Sequence, residues 1–318
     1  MVAAYLRCFV IGPLCGALAL AVIVDVCPEW IPAPRLSASV SFNEKAQWLR
    51  TALADGQCEI LVVGSSMALS SASGPLLSAH ATRKVVNLGS WGMSAEESST
   101  LVRAVTRLCR PRAIVMPIFH GDFTSDEPKQ IRWDLVGDYL AGGNRLVTYV
   151  RTFDLRYVFD QMLTRWRQAG RGRTFYESLD FDPSGGVNLA CTGFTISPQR
   201  WDGYQRALPR PVRESAVQAV ADIARLAKEQ NAQFLAATVP LRPVAEASFE
   251  PERREKLWAR VNGAVAGAGG AFIRIRAGDG FDDRVFADYA HLNACGAARW
   301  TQMVLARFGK SMIAATGK

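Results

Sequence analysis

The chain has 318 residues, 49% of them hydrophobic and 21% charged, a composition typical of a globular protein with a core to bury. Its formal net charge of +8 suits an anionic partner, because a basic surface concentrates anions near it. The sequence has no zinc-finger spacing, no aromatic motif of RNA-binding domains and no run of five basic residues, so we expect no nucleic-acid partner. P-loop, GxGxxG and HExxH patterns are also absent, which argues against the usual NTPase, dinucleotide and zinc-peptidase classes.

Residues 1–27 predict a signal anchor or transmembrane segment. Residues 8–24 run without a charge between Arg7 and Asp25, and this length is near the minimum for a spanning helix, about 17 to 25 residues. Arg7 on the short N-terminal side predicts that the rest of the chain faces the periplasm or the outside. A cleaved signal peptide that releases a secreted form is the alternative, although the small residues 17–19 lie inside the apolar run.

A regular alternation of strands and helices follows a linker at residues 28–45. Short apolar runs predict buried parallel strands at residues 58–64, 84–89, 112–119, 232–240 and 271–275. Helical patterns occur at residues 42–56, 94–109, 210–230, 249–267 and 294–308. This order predicts one α/β domain over residues 46–318, in which helices cover both faces of a parallel sheet.

An insertion at about residues 120–210 interrupts the alternation. Residues 145–213 contain eleven Arg and six Asp or Glu, so the insertion is locally basic. A helix is predicted over residues 147–168, with a set of apolar residues near one face, namely Val150, Phe153, Tyr157, Val158, Met162 and Trp166. Such an insertion either shapes substrate access or forms a solvated helical hairpin beside the domain.

The seven cysteines contain no CxxC pair, so we expect no thiolate metal site, and the sequence predicts no metal and no cofactor. Five of them lie outside the apolar segment, and an odd number leaves at least one thiol unpaired or paired between chains. In a flavodoxin-like strand order 2-1-3-4-5 the first and third strands are neighbours. Cys58 and Cys109 each come just before one of these strands, which predicts a disulfide between them.

Histidine is scarce, and a hydroxyl nucleophile at neutral pH needs a base. The histidines are His80, His120 and His291, and Asp288 precedes His291 by three residues. A carboxylate at this distance can accept the Nδ1 proton of the ring and leave Nε2 facing outward as the base. Alternatively, Asp288 caps a local turn and His291 is a surface residue.

Small residues follow the first two predicted strands. Gly64, Ser65 and Ser66 come directly after the first strand, at the carboxyl end where parallel sheets place their sites. A serine there can use the N–H groups at a helix start to stabilise an oxyanion, or it is an ordinary N-cap. Gly89 and Gly92 follow the second strand, where their N–H groups can approach an oxyanion closely or only make the turn.

Together the segments LVVGSSMALSS, VVNLGSWGMSAEE and FADYAHLNACG resemble the SGNH (GDSL-like) hydrolase and acyltransferase family, and especially its membrane-anchored branch associated with envelope polysaccharides. The resemblance implies a flavodoxin-like three-layer fold with Ser66 as the nucleophile. It implies that Asp288 and His291 are the acid and base, and that the amides of Ser66 and Gly92 line the oxyanion hole. Ser65 stands where many members have Asp.

Two further segments bear on this resemblance. The third strand ends in MPIFHGDF, where the family has GxND, so the asparagine donor is missing. Either the oxyanion hole depends on the Ser66 and Gly92 amides, or His120 donates a further bond; His120 as a packed residue is the alternative. The segment RWDGYQRAL is similar to one in envelope SGNH-like proteins, which implies that Trp201 and Tyr204 stack on sugars, unless they fill a core.

These features predict a serine esterase or O-acyltransferase that acts on ester-linked acyl groups of an envelope or exported polysaccharide through an acyl-serine intermediate. One alternative is a non-catalytic protein of the same fold that binds polysaccharide or scaffolds envelope assembly partners, with the basic insertion as its docking surface. Another is a membrane-surface lipid esterase whose Arg-rich helix holds anionic headgroups.

Overall fold

The computed structural model describes residues 11, 15, 16, 18, 21–81, 84–124, 130–168, 178–192, 196–203 and 211–314. Five strands form one parallel sheet in the order β2-β1-β3-β4-β5. The strands are β1 Ile60–Val62, β2 Val85–Asn87, β3 Ala113–Ile118, β4 Gln233–Thr238 and β5 Ala271–Ile273. All five predicted strands are therefore confirmed, each shorter than predicted.

Helices cover both faces of the sheet, as predicted. The described α-helices are α1 Val40–Ala52, α2 Ser66–Ser71, α3 Gly74–Ala81, α4 Ala95–Val105, α5 Trp133–Leu140, α6 Arg145–Arg151, α7 Leu155–Gln168, α8 Pro198–Trp201, α9 Glu214–Glu229, α10 Pro243–Ser248, α11 Pro251–Gly267 and α12 Ala294–Ala314. Leu61 and Val63 pack with α1, α4, α9 and α11, whereas Ile60 and Val62 pack with α2, α3 and α12. This alternation of strand residues produces the three layers of an α/β fold.

A proline in the central strand opens the sheet at one end. Val63 donates its N–H to the carbonyl oxygen of Val115, so β3 residues in this register face β1. Pro117 faces the same side but has no N–H to donate, and the β1–β3 pairing ends at Val62 and Val115. Pairing between β3 and β4 continues to Ile118. The pairing of β1 with β3 therefore ends just before the turn that carries Gly64, Ser65 and Ser66.

Two disulfides lie on the domain. Cys58 and Cys109 are bonded with their Cα atoms 5.7 Å apart, which confirms the predicted pair. A second bond, which the sequence did not predict, joins Cys191 to Cys295 with Cα atoms 5.4 Å apart. Among the described cysteines, Cys15 and Cys27 are free.

The predicted linker extends too far. Helix α1 begins at Val40, inside the range 28–45, because Ser39 caps it by accepting the N–H of Phe42. Phe42 and Lys45 are buried in the domain. The described part of the linker therefore ends before Val40, and residues 40–45 belong to the α/β domain.

The single helix predicted at residues 147–168 is wrong, because the chain forms two helices there. Helix α6 ends at Arg151, and Asp154 starts α7 by accepting the N–H of Tyr157 at 2.9 Å. The apolar face that was predicted is also split. Tyr157 and Val158 are half-buried, whereas Val150, Phe153, Met162 and Trp166 are exposed.

Much of the predicted anchor lies outside the described residues. Within it, residues 11, 15, 16, 18 and 21–26 are helical. No helix among the described residues has both the length and the apolar character needed to span a bilayer.

Candidate active site

Ser66, His291 and Asp288 form a continuous hydrogen-bonded triad, although 225 residues separate the serine from the histidine. His291 Nε2 lies 2.8 Å from Ser66 Oγ, and His291 Nδ1 lies 2.8 Å from Asp288 Oδ2. Ser66 and Asp288 are buried, and the histidine side chain is 12% exposed. The structure thus brings together the three predicted residues in the geometry that an activated serine requires.

A tight loop fixes the acid and the base. Asp288 Oδ1 accepts the backbone N–H groups of Ala290 at 2.8 Å and His291 at 2.6 Å. The ends of the loop are tied by an antiparallel bridge between Phe286 and Leu292. The carboxylate therefore orients the ring and its own loop at once, so the imidazole stays directed at Ser66.

The nucleophile lies in the turn that leaves β1. Ser66 is the first residue of α2, and Ser65 is its N-cap, whose Oγ accepts the N–H of Met67. Gly64 has a φ of +142°, and a Cβ there would lie 3.1 Å from the carbonyl oxygen of Pro117. Glycine is required at this position because the chain passes close to β3 in a backbone conformation that other residues rarely adopt.

Asn87, at the end of β2, holds the neighbouring turn against α2. Its Nδ2 donates to the Ala68 carbonyl at 2.7 Å, and its Oδ1 accepts the N–H of Gly89 at 2.8 Å. The turn continues to Gly92, which has a φ of +63°. The ring of Trp91 lies 5.0 Å from the ring of His291, so the predicted oxyanion glycine is one residue from a direct contact of the triad.

Asp122 is a buried acid beside the triad that sequence reasoning missed. Its carboxyl group is hydrogen-bonded to Ser65 and accepts the N–H of Phe119 at 2.9 Å. Burial raises the pKa of Asp122 to about 7, although these two hydrogen bonds and the charge of His291 act to lower it. Ser65 caps the helix that carries Ser66, so the hydrogen bond between Asp122 and Ser65 helps to fix the position of the nucleophile. Its presence in the segment HGDF, at a strand end, was the available signal.

His120 lies in an aromatic stack. Its ring is 5.2 Å from the ring of Phe119 and 4.2 Å from that of Phe249. Burial, reinforced by the charge of Arg254, lowers the pKa of His120 to about 4, so its imidazole is neutral near neutral pH. These contacts fit the packed-residue alternative, and the donation of an oxyanion hydrogen bond by His120 stays a prediction.

Of the two residues predicted to stack on sugars, the structure describes Trp201. The Arg242 guanidinium lies 3.6 Å from its ring centroid, donates to its carbonyl oxygen and also binds Asp283. One face of the indole is therefore already occupied. Tyr204 lies outside the described residues, so stacking on sugars stays a prediction for both.

A cleft of about 1070 Å³ runs along α1 and α7. Three aromatic residues, Trp48, Trp91 and Phe181, contribute to its lining. Its charged and amide lining residues are Glu29, Glu44, Gln47, Gln161, Arg165, Asp180 and Arg200. Trp91 lines the cleft and also contacts the ring of His291, so the cleft lies beside the triad, although Ser66, Asp288 and His291 are not among its lining residues. The aromatic residues are far apart in the chain, and sequence spacing gave no signal that they share a wall.

Lys45 holds residues 178–192, which we call the floor of the cleft because residues 178–181 line it. This fully buried residue donates from Nζ to the carbonyl oxygens of Asn87, at 3.1 Å, and Gly185, and its ammonium lies 4.1 Å from the ring of Phe181. Burial lowers the pKa of Lys45 to about 7, against the opposing effect of Asp182. These bonds fasten residues 178–192 to α1 and β2.

Replacing Asp122 by Asn should remove a pH dependence of stability. The pKa of Asp122 is about 7 in the fold against an ordinary 3.8, so its stabilising contribution is complete below pH 3.8 and is lost as pH rises to 7. From pH 4 to pH 8 the free energy of unfolding of wild type should therefore fall by a few kcal/mol relative to that of Asp122→Asn. Urea unfolding at each pH measures this difference.

Asp282→Asn is the matched control for this measurement. Asp282 is exposed, and its hydrogen bond with Arg284 lowers its pKa below the ordinary 3.8, so its contribution changes below the measured range and the difference should stay nearly constant between pH 4 and pH 8. A difference between Asp122→Asn and wild type that stays constant with pH would show that the buried carboxyl group does not take up a proton on folding.

No protein-family model matches the sequence, and no curated protein matches it either.

Proposed function

We propose that this chain is an SGNH-type serine esterase or O-acyltransferase that acts on acyl groups of an envelope or exported polysaccharide. The observation that carries this proposal is the chain of two 2.8 Å hydrogen bonds from Ser66 through His291 to Asp288. The strand order β2-β1-β3-β4-β5 supports the flavodoxin-like SGNH fold, because it places the Ser66 and Gly92 turns side by side.

In the first half-reaction, Ser66 Oγ attacks the carbonyl carbon of an ester while His291 Nε2 takes the serine proton. Asp288 holds the imidazole in the required tautomer and stabilises the imidazolium that forms. The N–H groups of Ser66 and Gly92 stabilise the tetrahedral oxyanion, which then collapses. The bond to the leaving alcohol breaks, the alcohol takes the proton from His291, and the acyl group remains on Ser66.

In the second half-reaction, water or a sugar hydroxyl attacks the acyl-serine. His291 accepts the proton of the attacking group and returns it to Ser66 Oγ as the acyl–serine bond breaks. Water gives hydrolysis, whereas a sugar hydroxyl gives acyl transfer. The choice between them depends on whether the cleft holds an acceptor in the position that water would otherwise occupy.

The cleft supports a carbohydrate substrate. Aromatic rings beside carboxylate, amide and guanidinium groups match the alternating apolar faces and hydroxyl edges of sugars. Two disulfides support an oxidising compartment, and the uncharged residues 8–24 support a membrane anchor. We therefore place the enzyme at the membrane, facing the periplasm or the outside.

The test is acylation of the full-length chain by p-nitrophenyl acetate, followed by intact mass spectrometry and peptide mapping. We expect a mass increase of one acetyl group on the peptide that contains Ser66. Adding polysaccharide fragments should speed the loss of this adduct and acetylate the fragments if the enzyme is a transferase. A wild-type chain that neither turns over the ester nor forms an adduct, yet binds the fragments, would instead support the non-catalytic polysaccharide-binding alternative.

A further inference from the structure

Helix α7 turns its apolar side chains outward. Leu155, Phe159, Met162 and Trp166 are spaced i, i+4, i+7 and i+11, which places them on one face, and they are between 55% and 76% exposed. Its opposite face is polar and packs against the domain, where Arg165 forms a two-pronged ion pair with Glu44. This is the reverse of an ordinary surface helix, which buries its apolar stripe.

More exposed apolar side chains lie on α6 and just after it. Val147, Val150 and Phe153 are between 51% and 69% exposed, and they immediately precede α7 in the chain. Together with the four residues of the α7 stripe they form what we call the α6–α7 platform. Soluble proteins rarely leave so many large apolar side chains exposed together unless the surface binds something.

The polar side of the platform holds the segment that follows the uncharged N-terminal residues. Arg145 donates to the Asp25 carbonyl at 3.0 Å, Tyr149 to the Pro32 carbonyl at 2.8 Å, and Arg165 to the Ile31 carbonyl at 3.0 Å. This segment is itself apolar on its outside, since Val22, Val26 and Trp30 recur every four residues and are exposed. The helices that carry the platform are therefore bonded to the segment that follows the predicted anchor.

We propose that the α6–α7 platform is a membrane-docking surface, which lies in the interface of the same bilayer that holds the N-terminal segment. Its apolar residues would enter the boundary between headgroups and acyl chains, as in other interfacial amphipathic helices. Arg151, Arg156 and Arg167 are exposed on the same two helices. Arg151 lies 3.8 Å from Asp134 and Arg156 lies 3.8 Å from Asp160, so anionic headgroups would compete with exposed and therefore weak ion pairs. We choose a lipid surface as the occupant because the helices that carry the platform are bonded to residues 25–32, which follow the predicted membrane segment.

Docking in this way also orients the cleft. Gln161, Thr164 and Arg165 of α7 line the cleft, and so do Pro28 and Glu29, which follow the predicted anchor in sequence. The cleft would then lie along the bilayer surface with one end beside it. A polymer that emerges from the membrane would enter the cleft without crossing bulk solvent.

The test uses the full-length chain in vesicles of phosphatidylcholine and phosphatidylglycerol, with a fluorescent amino acid at position 159. Brominated lipids quench only fluorophores that contact the acyl region, so we expect at least about a twofold loss of fluorescence. The matched control carries the same fluorophore at position 260 of α11, an exposed position on a helix that packs on β5. Fluorescence from that position should not change.

Two results would overturn the proposal. One is fluorescence at position 159 that brominated lipids leave unchanged. The other is crosslinking between positions 159 of two chains, which would show that a second copy covers the platform. Hydrolysis of p-nitrophenyl acetate by the variant labelled at position 159 should equal that of wild type in either case, so the outcome is separable from the proposed catalysis.

Discussion

Replacing Ser66 by alanine should lower kcat for ester hydrolysis by about 10⁶-fold, which is the loss typical of removing a serine nucleophile that acts in a triad. Ser66 Oγ is the atom 2.8 Å from the base, and without it neither acyl-enzyme formation nor activation by His291 can occur. Steady-state hydrolysis of p-nitrophenyl acetate measures the effect, with intact mass spectrometry to show that the adduct disappears.

Ser71→Ala is the matched control, since it removes a serine hydroxyl group from the other end of α2. Ser71 is fully buried and its Oγ has no hydrogen-bond partner, so kcat should stay within a fewfold of wild type. Asp288→Asn should lie between the two, with a loss of about 10⁴-fold, because an amide favours the wrong imidazole tautomer. Equal activity of wild type and Ser66→Ala would exclude the acyl-serine mechanism.

Removing the bond between Cys191 and Cys295, by replacing both with alanine, should lower the free energy of unfolding by about 4.7 kcal/mol, the chain-entropy value for a loop of about 100 residues. The two cysteines are 104 residues apart in sequence. Activity should fall as well, because the bond joins the segment that forms the cleft floor to the start of α12, four residues after His291. Urea unfolding and ester hydrolysis measure the two effects.

Cys27→Ala is the control for this experiment, because Cys27 is free and its replacement should change neither quantity. Replacing Cys58 and Cys109 gives a sharper comparison. Cys58 comes just before β1 and Cys109 follows α4, and their bond closes a loop of 51 residues. Removing this bond should therefore lower the free energy of unfolding and leave the triad intact. If both double variants lost activity in proportion to stability, the Cys191–Cys295 bond would have no separate role at the site.

The strands were predictable because each is a short run of mostly apolar residues, which is typical of strands inside a parallel sheet. β1, β2 and β3 are buried along their whole length, β4 is buried except at Gln233, and β5 is half-buried. The strand order then made the Cys58–Cys109 bond predictable. Cys191 and Cys295 gave no comparable signal, since neither adjoins a strand and their approach depends on how residues 178–192 cross the sheet edge. The sequence predicts one helix at 147–168 because Asp154 resembles a polar residue inside a helix. In the structure Asp154 instead caps the start of a second helix, α7.

The triad residues were predictable from two local patterns, the serine after β1 and the Asp288/His291 pair, but only because these patterns together resemble the SGNH family; each pattern alone had an ordinary structural alternative. The residues that support the triad were not predictable, because their roles arise from burial. In the sequence Asp122 stands out only as part of the segment that departs from the GxND motif, and Lys45 falls at the end of the predicted linker. Both are ionisable groups enclosed by residues distant in sequence, such as Ser65 for one and Gly185 for the other. The spacing of residues within one segment cannot indicate which distant residues will enclose it in the fold.

The long separation between Ser66 and His291 also bears on biogenesis. The serine reaches its folded turn with β1, whereas its base belongs to a loop 225 residues later, just before α12. A nascent chain therefore emerges from the ribosome with an unactivated hydroxyl, no more nucleophilic than any other serine. On the proposed mechanism, Ser66 is activated only when the loop between Phe286 and Leu292 docks against α2, so the order of synthesis delays activation until most of the chain has been made.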